Sequence, residues 1–182
     1  MFVKITSGIH KGRRIKVPKT DLRPTAEKVR SAFFDTIFSM ITFETGSFLD
    51  LFSGSGAMSF EALSRGFKSA FAVEKNPSAV SLLKENGKLL GENIVVLQKD
   101  AFAVNKDDFK ETSFKSIYID PPYKLFDKIP QLIDTIVDDE ISDGTCVIGV
   151  ESGEEINWSK PGWSRKSKQY GGTFLTFFFN WE

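Results

Sequence analysis

The chain has 182 residues, 24 Lys/Arg against 24 Asp/Glu, one cysteine and one histidine, enough for one domain with a substantial core and too little for two large ones. A lone Cys146 and a lone His10 exclude a disulfide framework and a Cys/His metal cluster, and no apolar run approaches membrane-spanning length. The expectation is a single soluble domain in a reducing cytoplasm, with no membrane partner, no signal peptide around Lys4 and Lys11, and a monomer as the default.

The charge is unevenly placed. From Met1 to Arg30 nine Lys/Arg outnumber Asp21 and Glu27 by seven, and from Ile156 onward Lys160, Arg165, Lys166 and Lys168 outnumber Glu182 by three, so the middle carries ten excess negative charges. Two basic ends around an acidic centre suit a polyanion such as nucleic acid, although solvated lysines give the same count.

In chain order, Phe2-Val3-Lys4-Ile5-Thr6 and Gly12 to Val17 alternate on either side of Ser7-Gly8, which predicts a small hairpin with a basic tip at Arg13 and Arg14. This extension spans residues 1–24, and 25–182 form the core. Thr25 is a candidate N-cap for a helix to about Ile41, whose Val29, Ala32, Phe33, Ile37 and Met40 recur at helical spacing. Arg23 and Arg30 stand at its entrance, as phosphate contacts or as surface charges. Phe48 to Phe52 is nearly continuous in apolar residues, as a strand covered on both faces should be. Ser53-Gly54-Ser55-Gly56 is the turn into a helix from about Ala57 to Arg65, closed at Gly66. A second strand over Ala70–Val73 ends in Glu74, and Asn76-Pro77 opens a helix to Leu90 with Gly91 after it. Ile94–Leu97 is a third strand, ending near Asp100.

The fourth strand, Phe114–Ile119, runs into Asp120-Pro121-Pro122-Tyr123. Two prolines fix two φ angles and remove two amide donors, so the strand stops and leaves a rigid ledge of acceptors. With a carboxylate before it and a flat ring after it, the ledge suits a planar group bearing an NH2, a nucleobase above all. A proline turn with Tyr123 in the core accounts for those four residues alone equally well. Phe126, Ile129, Leu132, Ile133, Ile136 and Val137 form a helical stripe, Gly144–Val150 a fifth strand, and Trp163–Tyr170 with Thr173–Trp181 a closing hairpin across Gly171-Gly172. The whole predicts an open, mostly parallel seven-stranded α/β sheet ending in an antiparallel hairpin.

Ligands of such sheets sit outside the carboxyl ends of the strands, where Asp50 with its glycine turn, Glu74, Asp100 and Asp120 all lie. Gly54 and Gly56 admit close approach of backbone to a ligand, and Glu74 is placed to hold a ribose diol. The pattern fits a dinucleotide as well as S-adenosylmethionine, but the acidic centre and Asp50 favour a cofactor carrying a sulfonium and an ammonium over a pyrophosphate.

Leu22 to Thr25 through Arg30, Phe48 to Gly56, Glu61-Ala62-Leu63-Ser64-Arg65-Gly66, Glu74, Asp100-Ala101, Asp120 to Tyr123, and also Gly12-Arg13-Arg14 and Tyr170 to Thr173, resemble the RsmD family along nearly the whole chain. These bacterial enzymes methylate the N2 amine of one guanine in 16S ribosomal RNA. The resemblance implies a class I, Rossmann-like methyltransferase fold and S-adenosylmethionine as donor, with no metal. It places Asp50, Phe52, Gly54, Gly56, Glu74, Asp100 and Ala101 around the donor. Asp120, Pro121, Pro122 and Tyr123 become the catalytic ledge, and Arg13, Arg14, Arg23 and Arg30 RNA contacts. The implied partner is 16S rRNA within the small subunit or an assembly intermediate. The same ledge also serves adenine-N6 DNA methyltransferases, which the lack of a separate target-recognition domain disfavours, and an asparagine form serves glutamine methylation in release factors, which Asp120 disfavours. A nicotinamide-dependent dehydrogenase lacks a relay residue beyond His10, and a non-catalytic RNA-binding protein would not need the intact ledge beside a cofactor loop.

Overall fold

The computed structural model describes residues 1–18, 26–43, 46–110 and 112–181. The expected cap Thr25 and the Leu22-Arg23-Pro24 segment lie outside the described residues.

Strands β1 (Phe2–Lys4) and β2 (Arg14–Lys16) pair antiparallel with Val3 opposite Ile15, giving the expected ribbon. α1 (Ala26–Phe38) stops three residues short of the expected end. The Thr36 hydroxyl donates to the Ala32 carbonyl, and the Ser39 amide and hydroxyl both turn back to Thr36, a competition by short polar side chains that tightens and ends a helix. The core follows as β3 (Ser47–Leu51), α2 (Ala57–Ser64), β4 (Ser69–Val73), α3 (Pro77–Leu90), β5 (Val95–Leu97), β6 (Phe114–Ile119), α4 (Ile129–Asp138), β7 (Ser142–Ser152), β8 (Ser164–Tyr170) and β9 (Thr173–Phe179). Between β5 and β6 the chain makes two short 3-10 turns, Ala101–Ala103 and Lys106–Phe109.

The seven core strands lie in the order β5-β4-β3-β6-β7-β9-β8, with β3 to β7 parallel and β9 antiparallel to both its neighbours. α3 shows how local sequence sets its own limits. Asn76 accepts hydrogen bonds from the Ser78 and Ala79 amides, Pro77 occupies the first turn, and Gly91 closes the helix at φ 74°.

On one face of the sheet, Ile129, Leu132, Ile133 and Ile136 of α4 pack with Leu49, Ile117, Ile148 and Phe178. On the other, Val29, Phe33, Phe34 and Ile37 of α1 pack with Phe48, Tyr118, Val147 and Phe177, and the ribbon's Ile5 and Ile15 pack with Phe60, Leu83 and Leu90. Many of the phenylalanines, Phe33, Phe34, Phe48, Phe60, Phe109, Phe114, Phe177 and Phe178 among them, fill the core. α1 approaches β7 over Gly149, where a Cβ would stand 2.3 Å from the Phe33 ring.

Polar groups hold the ribbon to this second face. Glu61 of α2 is fully buried and accepts from the Thr6 amide (2.9 Å), the Ser7 amide (3.1 Å) and the Thr6 hydroxyl. It also pairs with Arg65 Nε at 2.8 Å and Arg30 Nε at 3.2 Å. Arg30 carries the tie onward to the Lys4 carbonyl at 2.8 Å. Asn86 of α3 meets both backbone groups of Lys16 and donates a further bond to the Ser55 carbonyl at 3.0 Å. The ribbon's loop is seated as closely: a Cβ on Gly8 would lie 1.7 Å from the Ser64 carbonyl oxygen.

Substituting Glu61→Gln leaves the buried Arg30 guanidinium without its Glu61 counter-charge and Arg65 with Asp35 alone among the described residues, which costs roughly 3–5 kcal/mol. Urea unfolding should show that loss, and hydrogen exchange at the Thr6 and Ser7 amides should accelerate more than exchange in β3 or β6. Equal acceleration everywhere would mean that Glu61 does not govern the ribbon in particular.

Candidate active site

The carboxyl ends of β3, β4, β6 and β7 open on two clefts that share Phe52, Asp120 and Glu151. The first, of about 250 Å³, is lined by Val73, Glu74, Lys75, Ala101, Pro121, Pro122, Tyr123, Phe126, Gly153 and Thr173 among others. The second, of about 280 Å³, lies toward the ribbon and is lined by Val3, Val17, Arg30, Asp50, Gly54, Met58 and Tyr118 among others.

The wall between them begins at a strained residue. Phe52, the first residue past β3, has φ 65°, a left-handed conformation that costs a non-glycine residue on the order of 1–3 kcal/mol and persists where its surroundings enforce it. Its ring meets Phe102 edge-on at 5.6 Å. Gly54 follows at φ 51°, and a Cβ there would meet no atom within 4 Å: a side chain would simply fill the cleft. Its amide donates to Glu74 at 2.9 Å, while the other Glu74 oxygen accepts from the Asn76 amide at 2.8 Å. Glu74 therefore ties the glycine loop to the start of α3 and still lines the first cleft.

Several expected site residues are placed differently. Gly56 is buried at φ 83°, and a Cβ there would meet Phe60 at 2.9 Å and Leu83 at 3.0 Å; it is a turn and packing glycine, facing away from the clefts. The Asp100 carboxylate caps the next turn through the Phe102 amide at 3.1 Å and lies 3.4 Å from Lys75, leaving Ala101 to line the cleft. Asp50 is buried behind the glycine loop, accepting from the Ser59 amide (3.1 Å) and hydroxyl (2.7 Å). Burial raises its pKa to about 7, against the lowering effect of the Ser59 bonds and with a further push from Glu74, so Asp50 is not the permanent negative charge expected from sequence.

The arginines need a stronger correction. Arg13 donates to the Leu90 carbonyl at 3.0 Å and to Leu89, closing the end of α3, and Arg30 is committed to Glu61 and Lys4. Arg30 is therefore buried, while Arg13 stays exposed with part of its guanidinium spent on the helix end. Within the expected basic tip, His10 Nε2 meets Glu92 at 2.6 Å and the His10 amide donates to Ser64, so the loop lies down on the core. Arg14 is exposed, and Arg23 lies outside the described residues.

The ledge forms as anticipated in part. Pro121 to Tyr123 line the first cleft and Tyr123 is 66% exposed, so it is no core residue. The Pro122 carbonyl accepts from the Leu125 amide at 2.8 Å, which leaves the ledge to Asp120 and Pro121.

Sequence reasoning missed Glu151. Ile119 of β6 pairs with Val150 of β7, and the residues that follow them, Asp120 and Glu151, both line the wall common to the two clefts. The Tyr118 hydroxyl donates to Glu151, and burial together with the Glu151 and Asp120 carboxylates pushes the Tyr118 pKa far up, so this donor keeps its proton. The signal was available, since Glu151 ends the fifth strand as Glu74 ends the second.

The comparisons with known proteins agree with this geometry. Residues 3–179 match the model of the family described as "Conserved hypothetical protein 95". "Ribosomal RNA small subunit methyltransferase D" of Haemophilus influenzae is 29% identical over 154 residues, 82% of this chain and 78% of that protein. The chain belongs to the RsmD family. "Putative rRNA methyltransferase YlbH" of Bacillus subtilis is 40% identical over 126 residues, 67% of each chain. The solved structure of "Putative methyltransferase yhhF" from Escherichia coli superposes with a TM-score of 0.85 at 26% identity, over 99% of this chain and 98% of that one. The fold is that of a class I methyltransferase, with S-adenosylmethionine as methyl donor. The two clefts fit such a donor: Gly54 leaves open space in the second, the Glu74 carboxylate lines the first, and Asp120 and Glu151 line both.

The Asp50 carboxyl supplies a pH test. In the unfolded chain it releases its proton near 3.8 and in the folded chain near 7. Between those values the folded state alone keeps the proton, so this group's contribution to stability falls as pH rises, by about 1.4 kcal/mol per unit, and levels off above 7. The stability of Asp50→Asn relative to the native chain should therefore climb between pH 4 and 7 in urea unfolding, whereas parallel curves would place the Asp50 pKa near its ordinary value.

Proposed function

We propose that this chain transfers a methyl group from S-adenosylmethionine to the exocyclic N2 amine of a guanine in 16S rRNA. It would act in the cytoplasm, as a monomer, on the small ribosomal subunit or an assembly intermediate. The observation that carries the reading is that Asp120 stands on the wall shared by two clefts, with Pro121, Tyr123, Glu74 and Ala101 beside it in the first and the glycine loop in the second, so that a donor and a planar base can both reach it. The relatives named as rRNA methyltransferases support RNA as the substrate.

In this reading Phe52, Gly54, Glu74 and Ala101 hold the donor, with Asp50 behind the loop and Asp100 at the rim. The donor supplies a methyl group on a sulfonium: as the N2–CH3 bond forms, the S–CH3 bond breaks, its electron pair returns to sulfur as a thioether, and N2 sheds one proton. An amine conjugated to its ring is a poor nucleophile, so orientation contributes much of the rate. Asp120 and the Pro121 carbonyl grip the N2 hydrogens and turn the nitrogen lone pair toward the glycine loop, while Tyr123 stacks on the ring. Asp120 is also the nearest acceptor for the released proton. The base must leave its stack to reach this wall.

With Arg30 buried and Arg13 bonded to the end of α3, the phosphate contacts fall to Arg14 on β2 and to Lys166 and Lys168 on the edge strand β8, all exposed. Lys168 lies 5.3 Å above the Tyr170 ring, at the end of β8 where the turn returns the chain to Thr173, a residue lining the first cleft.

The decisive experiment incubates the protein and labelled S-adenosylmethionine with small subunits from a strain lacking it, followed by nucleoside analysis. N2-methylguanosine in 16S rRNA is the expected product; label confined to DNA or protein would overturn the substrate assignment. Asp120→Ala should lose roughly 100-fold or more of the rate while binding the donor normally in calorimetry. Replacing both Lys166 and Lys168 by Ala should weaken RNA binding and flatten its salt dependence by about one unit of slope per lysine, and an unchanged slope would place the phosphates elsewhere.

A further inference from the structure

Asp120 and Pro121 account for an amine but not for a guanine, because adenine and cytosine also carry exocyclic amines. What sets guanine apart is the neighbour of that amine on the Watson–Crick edge. Its N1 bears a hydrogen and donates, whereas N1 of adenine and of 2-aminopurine is an acceptor. A pocket that selects guanine therefore needs a second acceptor one step to the side of the one that grips N2.

Glu151 occupies that place. It follows Val150, the register partner of Ile119, just as Asp120 follows Ile119, and it lines both clefts with Asp120. Its carboxylate is held from behind by Tyr118, a buried hydroxyl that keeps its proton and so acts as donor, leaving Glu151 in the acceptor role. β7 fixes the backbone on its other side by pairing Glu151 with Leu175 of β9. We propose that Glu151 selects guanine by accepting the N1 hydrogen while Asp120 and Pro121 hold the N2 amine. The proposal rests on the guanine-N2 reading of the site. A carboxylate facing an N1 lone pair is repulsive, so a base carrying the same amine but an acceptor at N1 is turned away.

The test uses small subunits assembled from ligated 16S rRNA that carries either guanosine or 2-aminopurine riboside at the position methylated by the native protein. 2-Aminopurine keeps the N2 amine and replaces the N1 donor with an acceptor. The native protein should prefer guanosine by roughly 100-fold or more, as sites built around a buried hydrogen bond do. Glu151→Gln offers an amide that can donate as well as accept. It should lose roughly 10-fold or more on guanosine yet methylate both bases to within a few-fold of each other.

Glu151→Asp keeps the charge but withdraws it by one methylene, so it should lose rate on guanosine while still rejecting 2-aminopurine. Calorimetric binding of S-adenosylmethionine verifies that each variant is folded. If Glu151 merely holds Tyr118, the glutamine variant will lower both bases equally, and an unchanged ratio overturns the proposal. Should the glutamine variant fail to fold, native protein that methylates 2-aminopurine as readily as guanosine overturns it by itself. Absence of any N2-methylguanosine from the native protein instead removes the guanine reading, and this proposal with it.

Discussion

The buried carboxylate of Glu61 is the constraint on which the rest of the molecule depends. Five donors converge on it, the amides of Thr6 and Ser7, the Thr6 hydroxyl, Arg30 and Arg65, and each would be costly to bury unpaired. They come from the N-terminal ribbon, from α1 and from α2, so one side chain fixes the mutual position of three elements. The ribbon then supplies Val3 and Val17 to the second cleft, and Arg30 joins them from α1. The shape of that cleft is thus set from behind, by an acid that does not line it.

Asn86 repeats the logic on α3. It pairs with the backbone of Lys16 in both directions and donates to Ser55 within the glycine loop, so ribbon and loop share one amide. Glu74 adds the other tether, from Gly54 to Asn76. A glycine-rich loop held at both ends and preceded by a strained Phe52 has little freedom left to lose on binding, and preorganisation of that kind lowers the entropic cost of taking up a ligand.

Much of this was legible from the residues. The continuous apolar runs, the Asn76-Pro77 opening and Gly91 closing of α3, and the stripe of α4 fix local structure through short-range physics, and all appear where the spacing placed them. What was not legible depends on partners far along the chain. Arg30 reads as an outward cation because a sequence shows charge without direction; only the fold buries it against Glu61, and only the fold lays the exposed Arg13 against the end of α3. Gly54 and Gly56 look alike in sequence, yet one faces open space and the other the Phe60 ring. Asp50 carries a formal charge that burial brings close to half neutralised at neutral pH.

The same long-range pairing explains the chemistry of the ledge. Prolines at 121 and 122 remove two amide donors, the Pro122 carbonyl turns into the next turn, and the Ile119–Val150 pairing brings the following Asp120 and Glu151 to the same wall. The result is a wall presenting acceptors, from carboxylates and the Pro121 carbonyl, with Tyr118 already committed to Glu151. Such a wall favours a ligand edge made of donors and penalises one that brings a lone pair, because an acceptor facing an acceptor loses its water without gaining a hydrogen bond. Among the nucleobases guanine alone offers a ring N–H beside an exocyclic amine. Selectivity of this kind needs no separate recognition domain; it arises where two neighbouring parallel strands each bring an acid to the same wall.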